Sequence, residues 1–431
     1  MKRLALACLV ASCVPSQHEL RAPVYRVIGD REKVDVSALL ARPLDREAAV
    51  AVALANNRRL AAALDELGIA GGDLAAALGL GPAEVDVQLR FGKGHEYEFD
   101  ALQSVLGLVT MPSRRAAAHA ELAAARATAT ATALRLAARV RIAFADLLAA
   151  QQEVELRKTA FDAADAAATL RERMRAAGNT TELAVARDRD AREETRIALG
   201  RAEAEVQRRR EALNPLLGLT GAQTSWTATG TLGELPAAPP ALDDLEQAAV
   251  AASLDLASGR ARVDAAAGRA RATRIAAFLP ELALGVSAID VDGDLQIGPA
   301  LRLGIPLLDQ QAGPRARASA ELARRTHELE ASAVELHAQA RAARITALAA
   351  YQEARHLHDD VLPLRQQIVN ETLLHYNAMD ADPFQLILAR RELADAGHQY
   401  LDALRRYWGA SAEVDALRAG VALEASDVAQ P

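Results

Sequence analysis

Nine histidines are the side chains in this sequence most able to bind a metal ion. His356 and His358 are two residues apart, so on a helix they would point in different directions. His327 and His337 would lie on similar faces of a helix, but no carboxylate supports them as further ligands. The spacing therefore predicts no specific metal site.

The segment DVDGD at 290–294 is a second feature that could bind an ion. A calcium loop beginning there would need a glutamate at its twelfth position, where this sequence has Leu301. We therefore interpret the segment as a hairpin turn. No GxSxG, Walker or HExxH motif occurs, so the sequence predicts no enzyme activity and no cofactor.

The only two cysteines, Cys8 and Cys13, lie near the start of the chain. Lys2 and Arg3, followed by a short apolar run, are typical of an export signal, which we place at 1–12. The run ends in VASC and resembles a bacterial lipobox, so Cys13 is the predicted site of lipid attachment. An ordinary secretory signal with an incidental cysteine is the alternative. The absence of later cysteines excludes a disulfide framework in the mature body.

The composition favours long helices over a compact globular core. Hydrophobic residues make up 51% of the chain and aromatic residues only 3%, and alanine dominates the apolar content. Fifty basic and 57 acidic residues are interspersed and give a net charge of −7, which argues against a nucleic-acid-binding surface. Arginine runs such as Arg208-Arg209-Arg210 are interpreted as solvated helix faces.

The same order of signals occurs twice along the chain, which predicts an internal duplication. Each half opens with an alanine-rich helix, at 47–60 and at 246–256. The predicted organisation is an extended segment at 13–44, a first repeat at 45–217, a connector rich in Gly, Thr and Pro at 218–242, a second repeat at 243–420, and a disordered tail at 421–431.

Each repeat contains a segment in which apolar and polar residues alternate. In the first repeat, Val85, Val87 and Leu89 alternate with charged or polar residues. A period of two is the pattern of a strand with one apolar face. The sequence therefore predicts two β-hairpins, at 84–110 and at 281–305.

Each predicted hairpin ends near a proline, Pro112 or Pro306, and is followed by a long helical hairpin. These helical hairpins are predicted at 113–215 and 310–420, and Pro363 is the one proline between Arg315 and Ala378. Alanines at heptad-like spacing would let neighbouring helices pack closely, as in a coiled coil.

Four strands per chain constrain how such a protein could enter a membrane. An open sheet edge cannot be exposed to lipid, and four strands cannot close a barrel alone. Three chains would supply twelve strands, which is an acceptable number for a membrane barrel. The layout therefore favours closure between several copies of the chain.

Several motifs resemble the TolC-type outer-membrane efflux family. They are the opening ALANN, GPALRLGIPLLDQQAG at 298–313, RMRAAGNTTELAVAR at 173–187 and REALNPLLGL at 210–219. The resemblance implies a mainly α fold with a small β part. Long helical hairpins would form a periplasmic α-barrel, and four strands per chain would join a trimeric twelve-stranded transmembrane β-barrel.

The resemblance also implies where the protein acts and what it binds. It implies a homotrimeric lipoprotein in the outer membrane, in contact with its lipid and extending into the periplasm. The partners would be a periplasmic adaptor protein and an inner-membrane pump. The function would be passive export of small molecules or metal ions.

Site residues follow from the resemblance at the turns between paired helices. In the family these turns dock on the adaptor, and some members carry acidic rings just inside them. The implied adaptor-docking residues are Ala177, Gly178, Asn179, Thr180, Ala378 and Met379, with Met379 at the position of a glycine. Asp380, Asp382 and Gln385 are candidates for a constriction, and turn-forming or helix-capping aspartates are the alternative.

Three other functional hypotheses stay open on the sequence. One is an elongated helical periplasmic scaffold or adaptor-like lipoprotein. Another is an outer-membrane channel for type I protein secretion. The third is a binding or enzymatic lipoprotein.

Overall fold

The computed structural model describes residues 16–29, 34–79, 83–91, 95–278, 281–291, 293–304 and 311–423. The predicted signal at 1–12, the lipidation site Cys13 and most of the predicted tail lie outside these described residues.

Long helices and one small sheet make up the described chain. In chain order the elements are α1 (Gln17–Ile28), α2 (Val36–Leu40), α3 (Arg46–Asn56), α4 (Arg58–Leu78), β1 (Ala83–Phe91), β2 (His95–Ser104), α5 (Leu106–Ala176), α6 (Glu182–Leu217), a 3₁₀ helix (Gly221–Ser225), α7 (Leu245–Ala252), α8 (Leu254–Phe278), β3 (Glu281–Val291), β4 (Asp294–Gly304), α9 (Ala312–His356), a π-helical turn (Leu357–Val361), α10 (Leu362–Asn377) and α11 (Pro383–Arg418).

The chain folds into two compact units. Among the described residues, unit 1 comprises those up to Val27, Ala62–Ala131 and Leu254–Glu335, and unit 2 comprises Ile28–Ala61, Thr132–Ser253 and those from Leu336 onward. Each unit combines segments from both predicted repeats, because the helices of the two halves pack together. The duplication itself stays a prediction.

The extended segment predicted at 13–44 is wrong, because α1 and α2 lie within it. Leu20 and Val24 are four residues apart and both are buried, which is the spacing of one helix face. Leu20 packs against Gly71 of α4, and a Cβ added to Gly71 would lie 2.6 Å from the Cδ1 of Leu20. Pro23 obscured this helical pattern in the sequence.

The first hairpin ends earlier than predicted. β2 ends at Ser104 and α5 begins at Leu106, so Pro112 lies inside the helix and does not end the hairpin. The apolar run at 105–111 lacks the alternation that a two-faced strand requires, and it therefore joins the helix. The second hairpin, β3 with β4, agrees with the predicted bounds to within one residue.

The four strands of unit 1 form one antiparallel sheet in the order β1-β2-β3-β4. The two hairpins are joined through β2 and β3, where Phe99 lies opposite Ala288. Gly285 is needed at this junction, since a Cβ added there would lie 1.8 Å from the carbonyl oxygen of Ala101. A strand glycine here permits the close approach of the two backbones.

Small residues set the helix packing in unit 1. A Cβ added to Gly268 of α8 would lie 2.9 Å from the Cβ of Ala117 and 3.0 Å from the carbonyl oxygen of Ser113, both on α5. Ala265 and Ala266 beside it are buried. The scarcity of aromatic residues is therefore consistent with a core built by close helix approach.

The long helices are continuous over much of their length. α5 spans 71 residues without interruption. The second tract contains a π-helical turn at Leu357–Val361, immediately before Pro363. A proline has no N–H to donate to the preceding turn, so the backbone widens there and the helix continues. Of the described helices, none has the combination of length and apolar character needed to cross a membrane.

The ALANN motif joins helices in unit 2. The Asn57 side chain donates to the carbonyls of Pro215 (3.3 Å) and Leu216 (2.9 Å) at the end of α6. Its Oδ1 accepts from the backbone N–H groups of Arg59 (2.9 Å) and Leu60 (3.1 Å). Asn57 therefore caps the start of α4 and the end of α6 together.

Two glycines end α6 and α11 in the same way. Gly218 and Gly420 both have positive φ angles, 68° and 92°. A Cβ added to Gly218 would lie 2.6 Å from the carbonyl oxygen of Asn56, and one added to Gly420 would lie 2.3 Å from that of Ala252. A left-handed glycine is the usual helix C-cap, and here it also allows close backbone packing.

The connector at 218–242 is a packed part of unit 2. The buried Trp226 donates from its indole to Asn214 (2.9 Å), and Arg210 donates to the carbonyl of Thr224 (2.7 Å). Arg210 therefore holds the connector and is not simply solvated. Further along, Leu232 is buried, and Trp408 donates to the carbonyl of Gly233 (2.8 Å).

We predict that Gly218→Ala destabilises the protein by about 1–3 kcal/mol, because alanine resists a positive φ and its Cβ would clash with Asn56. Gly200→Ala is the matched control on the same helix, where an added Cβ meets nothing within 4 Å. The control should be neutral or stabilise by about 0.5–1 kcal/mol. Guanidinium unfolding followed by far-UV circular dichroism measures both. Equal effects of the two substitutions would contradict the packing described here.

Candidate functional site

One face of the sheet is almost entirely apolar. The register aligns Val87 of β1 with Phe99, Ala288 and Ile297 on the other strands, so all four side chains share this face. Most of its large side chains are exposed, for example 58% for Val85 and 67% for Ile297. Its apolar members are Val85, Val87, Leu89, Tyr97, Phe99, Ala101, Leu282, Leu284, Val286, Ala288, Leu295, Ile297, Pro299, Leu301 and Leu303, and the polar residues Gln103 and Asp290 also lie on it, near its ends.

The opposite face is predominantly polar. It carries Glu84, Asp86, Gln88, Arg90, Glu98, Asp100, Ser287, Asp294, Gln296 and Arg302, together with the apolar Leu102, Ile289 and Val291. Asp86 lies directly opposite Asp100. Like charges in this position repel each other, and the repulsion is small only where water keeps the dielectric high. This face is therefore suited to water, and the apolar face is not.

The charged residues of β1 and β2 fit this arrangement. The sequence EYEFDAL in β2 alternates so that Tyr97 and Phe99 join the apolar face while Glu98 and Asp100 join the polar one. Arg90 pairs with Glu98 at 3.4 Å. A strand of high charge is thus compatible with a continuous apolar surface.

Both outer strands of the sheet offer backbone hydrogen-bonding groups at an edge. Within the described strands, β1 pairs only with β2, and β4 pairs only with β3. Such edges pair readily with a further strand. Glu84 of β1 and Arg302 of β4 form an ion pair at 3.2 Å across the polar face.

The first predicted tip turn, in unit 2, links α5 to α6. Gly178 has a φ of 77°, and the N–H of Asn179 donates to the carbonyl of Met174 at 2.8 Å. Thr181 then caps α6 by accepting from the N–H of Ala184 at 3.3 Å. The predicted docking residues Ala177, Gly178, Asn179 and Thr180 therefore form one tight turn.

The second turn has the same backbone hydrogen bonds. Met379 has a φ of 58°, and the N–H of Asp380 donates to the carbonyl of His375 at 2.9 Å. Met379 is thus in the glycine position, as the sequence indicated, and its side chain is 95% exposed. A left-handed conformation is unfavourable for methionine, so this turn contains local strain.

Arginines brace the first helical hairpin close to its turn. Arg171 pairs with Asp188 at 2.6 Å, and Arg189 pairs with Glu172 at 2.7 Å. The hydrogen bond from Arg189 holds the pKa of Glu172 below its usual value. The same bond raises the pKa of Arg189. Both pairs join α5 to α6.

Sequence reasoning missed one contact that joins the two helical hairpins. The Arg171 guanidinium lies 2.9 Å from the centroid of the Phe384 ring at the start of α11. This is a cation–π contact between residues more than 200 positions apart. A contact between residues so far apart in the chain cannot be predicted from local spacing. The one signal in the sequence was that Phe384 directly follows the second turn.

The aspartates considered for a constriction have local structural roles. Asp382 caps α11 by accepting from the N–H of Phe384 at 2.9 Å. Asp380 pairs with His375 at 2.9 Å. These contacts agree with the capping and turn-forming alternative. A constriction at Asp380, Asp382 and Gln385 stays a prediction.

Three of the histidines weighed as metal ligands have an acidic partner. His337 pairs with Glu246 at 2.7 Å, while His356 and His358 pair with Asp360 and Asp359, both at 2.8 Å. Among the described residues, no group of three or more histidine, cysteine or acidic side chains could hold a metal ion.

The fold matches those of solved outer-membrane proteins. The outer membrane protein VceC of Vibrio cholerae matches with a TM-score of 0.71 and 16% identity, over 88% of this chain and 97% of VceC. The Neisseria gonorrhoeae MtrE outer membrane channel, in its open state, gives 0.65 and 17%, over 87% and 89%. The Campylobacter jejuni CmeC outer membrane channel gives 0.68 and 14%, over 87% and 85%.

These matches confirm the predicted fold, a mainly helical chain with long helices and a four-stranded sheet. No protein-family model and no curated protein sequence matches the chain. At identities below 20% the likeness to VceC, MtrE and CmeC concerns the fold.

We predict that Met379→Gly stabilises the protein by about 1 kcal/mol, because glycine adopts the left-handed conformation without the Cβ penalty. The exposed methionine side chain gives up little packing when it is removed. The reciprocal change at the other turn, Gly178→Ala, should destabilise by a similar amount. Thermal unfolding of the purified protein measures both, and a lower midpoint for Met379→Gly would refute the assignment of strain.

Proposed function

We propose that three copies of this chain assemble into an outer-membrane conduit, which exports small molecules or metal ions passively. Each copy contributes its four strands to a twelve-stranded barrel in the lipid. The helices form a channel that extends into the periplasm, and the protein catalyses no reaction.

The two-faced sheet is the observation that carries this proposal. A face of exposed valine, leucine and isoleucine side chains is costly in water, and each buried methylene is worth about 0.8 kcal/mol. Lipid would cover that face, and the polar face would line a water-filled interior. The edges at β1 and β4 would pair between neighbouring copies, since an open edge is not tolerated in lipid.

The fold supports the same assignment. VceC is described as an outer membrane protein, and MtrE and CmeC as outer membrane channels. A soluble scaffold or adaptor, the main alternative, provides no covering for the apolar face of the sheet.

We assign the partners by the same reasoning. The turns at 177–180 and 378–379 would dock on a periplasmic adaptor, which would connect the conduit to an inner-membrane pump. The exposed Met379 offers an apolar contact at one of these turns. Cys13 would carry the lipid anchor.

Purified protein in detergent should behave as a trimer and should produce discrete ion-conducting steps in planar bilayers of phosphatidylcholine. Light scattering after size exclusion gives the mass of the assembly, and current recording gives the conductance. A stable monomer that produces no conductance would refute the conduit.

Two neighbouring residues of β1 provide a matched test of the sheet orientation. Val87 lies on the apolar face and Gln88 on the polar face, and both are exposed. Arginine facing lipid near the bilayer midplane costs about 2–4 kcal/mol, whereas arginine facing the lumen costs little. We therefore expect Val87→Arg to abolish the trimer in outer-membrane fractions and Gln88→Arg to preserve it. Trimer formation by Val87→Arg at the wild-type level would be incompatible with the proposed orientation.

A further inference from the structure

The helices beside the sheet have an uneven charge distribution where they meet the strands. α8 ends at Phe278, just before β3, and α9 begins shortly after β4. The helical stretches at 106–120, 269–278 and 312–320 carry seven arginines and no aspartate or glutamate, although the whole chain has a net charge of −7. The arginines are Arg114, Arg115, Arg269, Arg271, Arg274, Arg315 and Arg317.

Three of these arginines have structural partners within unit 1. Arg114 donates to the carbonyl of Gly79 at 2.9 Å and so caps the end of α4. Arg115 donates to His119 at 3.4 Å, and Arg269 pairs with Glu121. Their charges therefore serve the packing of the helices.

The other four form what we call the sheet-proximal arginine patch: Arg271 and Arg274 on α8, and Arg315 and Arg317 on α9. In the described part of the chain, no carboxylate forms an ion pair with any of the four. Arg271, Arg274 and Arg317 are exposed. Such a concentration of positive charge without internal partners favours an anionic partner.

The two helices of the patch lie side by side. An open groove of about 790 Å³ between them is lined by Arg269 and Thr273 from α8 and by Pro314, Arg317, Glu321 and Arg324 from α9. Of the patch residues, Arg317 lines this groove, while Arg269 is paired with Glu121 and Glu321 is paired with Arg324. Guanidinium groups bind phosphate oxygens through paired hydrogen bonds.

Exposed apolar side chains accompany the patch. Phe278, which is 76% exposed, follows Arg271 and Arg274 at spacings of seven and four residues, so the three share one face of α8. Leu108 and Val109 at the start of α5 are also exposed. Arginines beside aromatic and aliphatic side chains are typical of a surface that lies at the boundary between lipid and water.

We infer that the sheet-proximal arginine patch binds the headgroups of anionic phospholipids in the leaflet next to the helices. The inference rests on the proposed function, because it needs the sheet to lie in a membrane. The patch would fix the depth of the barrel: the arginines hold lipid phosphates while Phe278 enters the acyl boundary. An arginine near an anionic membrane surface adds about fivefold in affinity.

The test uses the full-length protein in dodecyl maltoside micelles, titrated with phosphatidylglycerol or with phosphatidylcholine. Binding of lipid to the folded state raises the midpoint of thermal unfolding. We expect a rise with phosphatidylglycerol that phosphatidylcholine does not reproduce and that 500 mM NaCl suppresses. The variant R271Q/R274Q/R315Q/R317Q should need at least about tenfold more phosphatidylglycerol for the same rise.

The variant R187Q/R201Q/R260Q/R390Q is the matched control, since it removes the same charge from exposed arginines elsewhere. It should respond like the wild type. Replacing the four patch residues with lysine should preserve most of the response and shows that loss in the glutamine variant is not misfolding. An equal loss in patch and control variants would overturn the inference, as would a wild type that responds equally to both lipids.

Inorganic phosphate at matched concentration separates a membrane surface from a site for free phosphate. A rise with phosphate equal to that with phosphatidylglycerol would contradict the inference. The outcome is also separable from the proposed function, because conductance is recorded in phosphatidylcholine bilayers. A conducting trimer without preference for phosphatidylglycerol would refute the lipid site alone.

Discussion

Register between strands is the constraint on which the rest of this structure depends. A strand points successive side chains to opposite faces, so the three antiparallel pairings decide which residues share a surface. A shift of one residue in any pairing would mix apolar and charged side chains on both faces. With the observed register, Val87, Phe99, Ala288 and Ile297 lie on one face, and the carboxylates of Asp86 and Asp100 on the other. In the proposed function, the edges at β1 and β4 would pair with those of neighbouring copies.

The helices meet a different requirement, which is close packing with few large side chains. Gly268 against Ala117 in unit 1, and Gly218 against Asn56 in unit 2, are contacts that a larger residue would disrupt. The connector adds large side chains to those that the helices bury, such as Phe144: its Trp226 and Leu232 are buried in unit 2. The connector therefore works as part of the core, and its backbone carbonyls accept hydrogen bonds from helix side chains such as Trp408.

The two halves of the chain use the same local devices with different residues. Gly218 and Gly420 end return helices with the same left-handed conformation. Gly178 and Met379 occupy the same position in two turns with matching hydrogen bonds, and only the second is strained. The two turns therefore keep the same backbone geometry although their side chains differ. At the exposed position of the second turn, Met379 adds an apolar side chain but adopts the left-handed conformation less readily than glycine.

Because these features depend on residues close in the chain, the local sequence determined the four strands through their alternation, and the long helices and both tip turns through long stretches with little proline or glycine and the short interruptions between them. It did not reveal α1, where Pro23 masks the spacing of Leu20 and Val24, or the end of β2 at Ser104, where alternation fades into an apolar run. The tertiary structure alone decided the contacts between distant residues: Arg171 on Phe384, the double cap at Asn57, and the join of β2 to β3. Such pairs depend on how whole helices and hairpins pack. The spacing of residues within one segment does not indicate which distant residues that segment will contact.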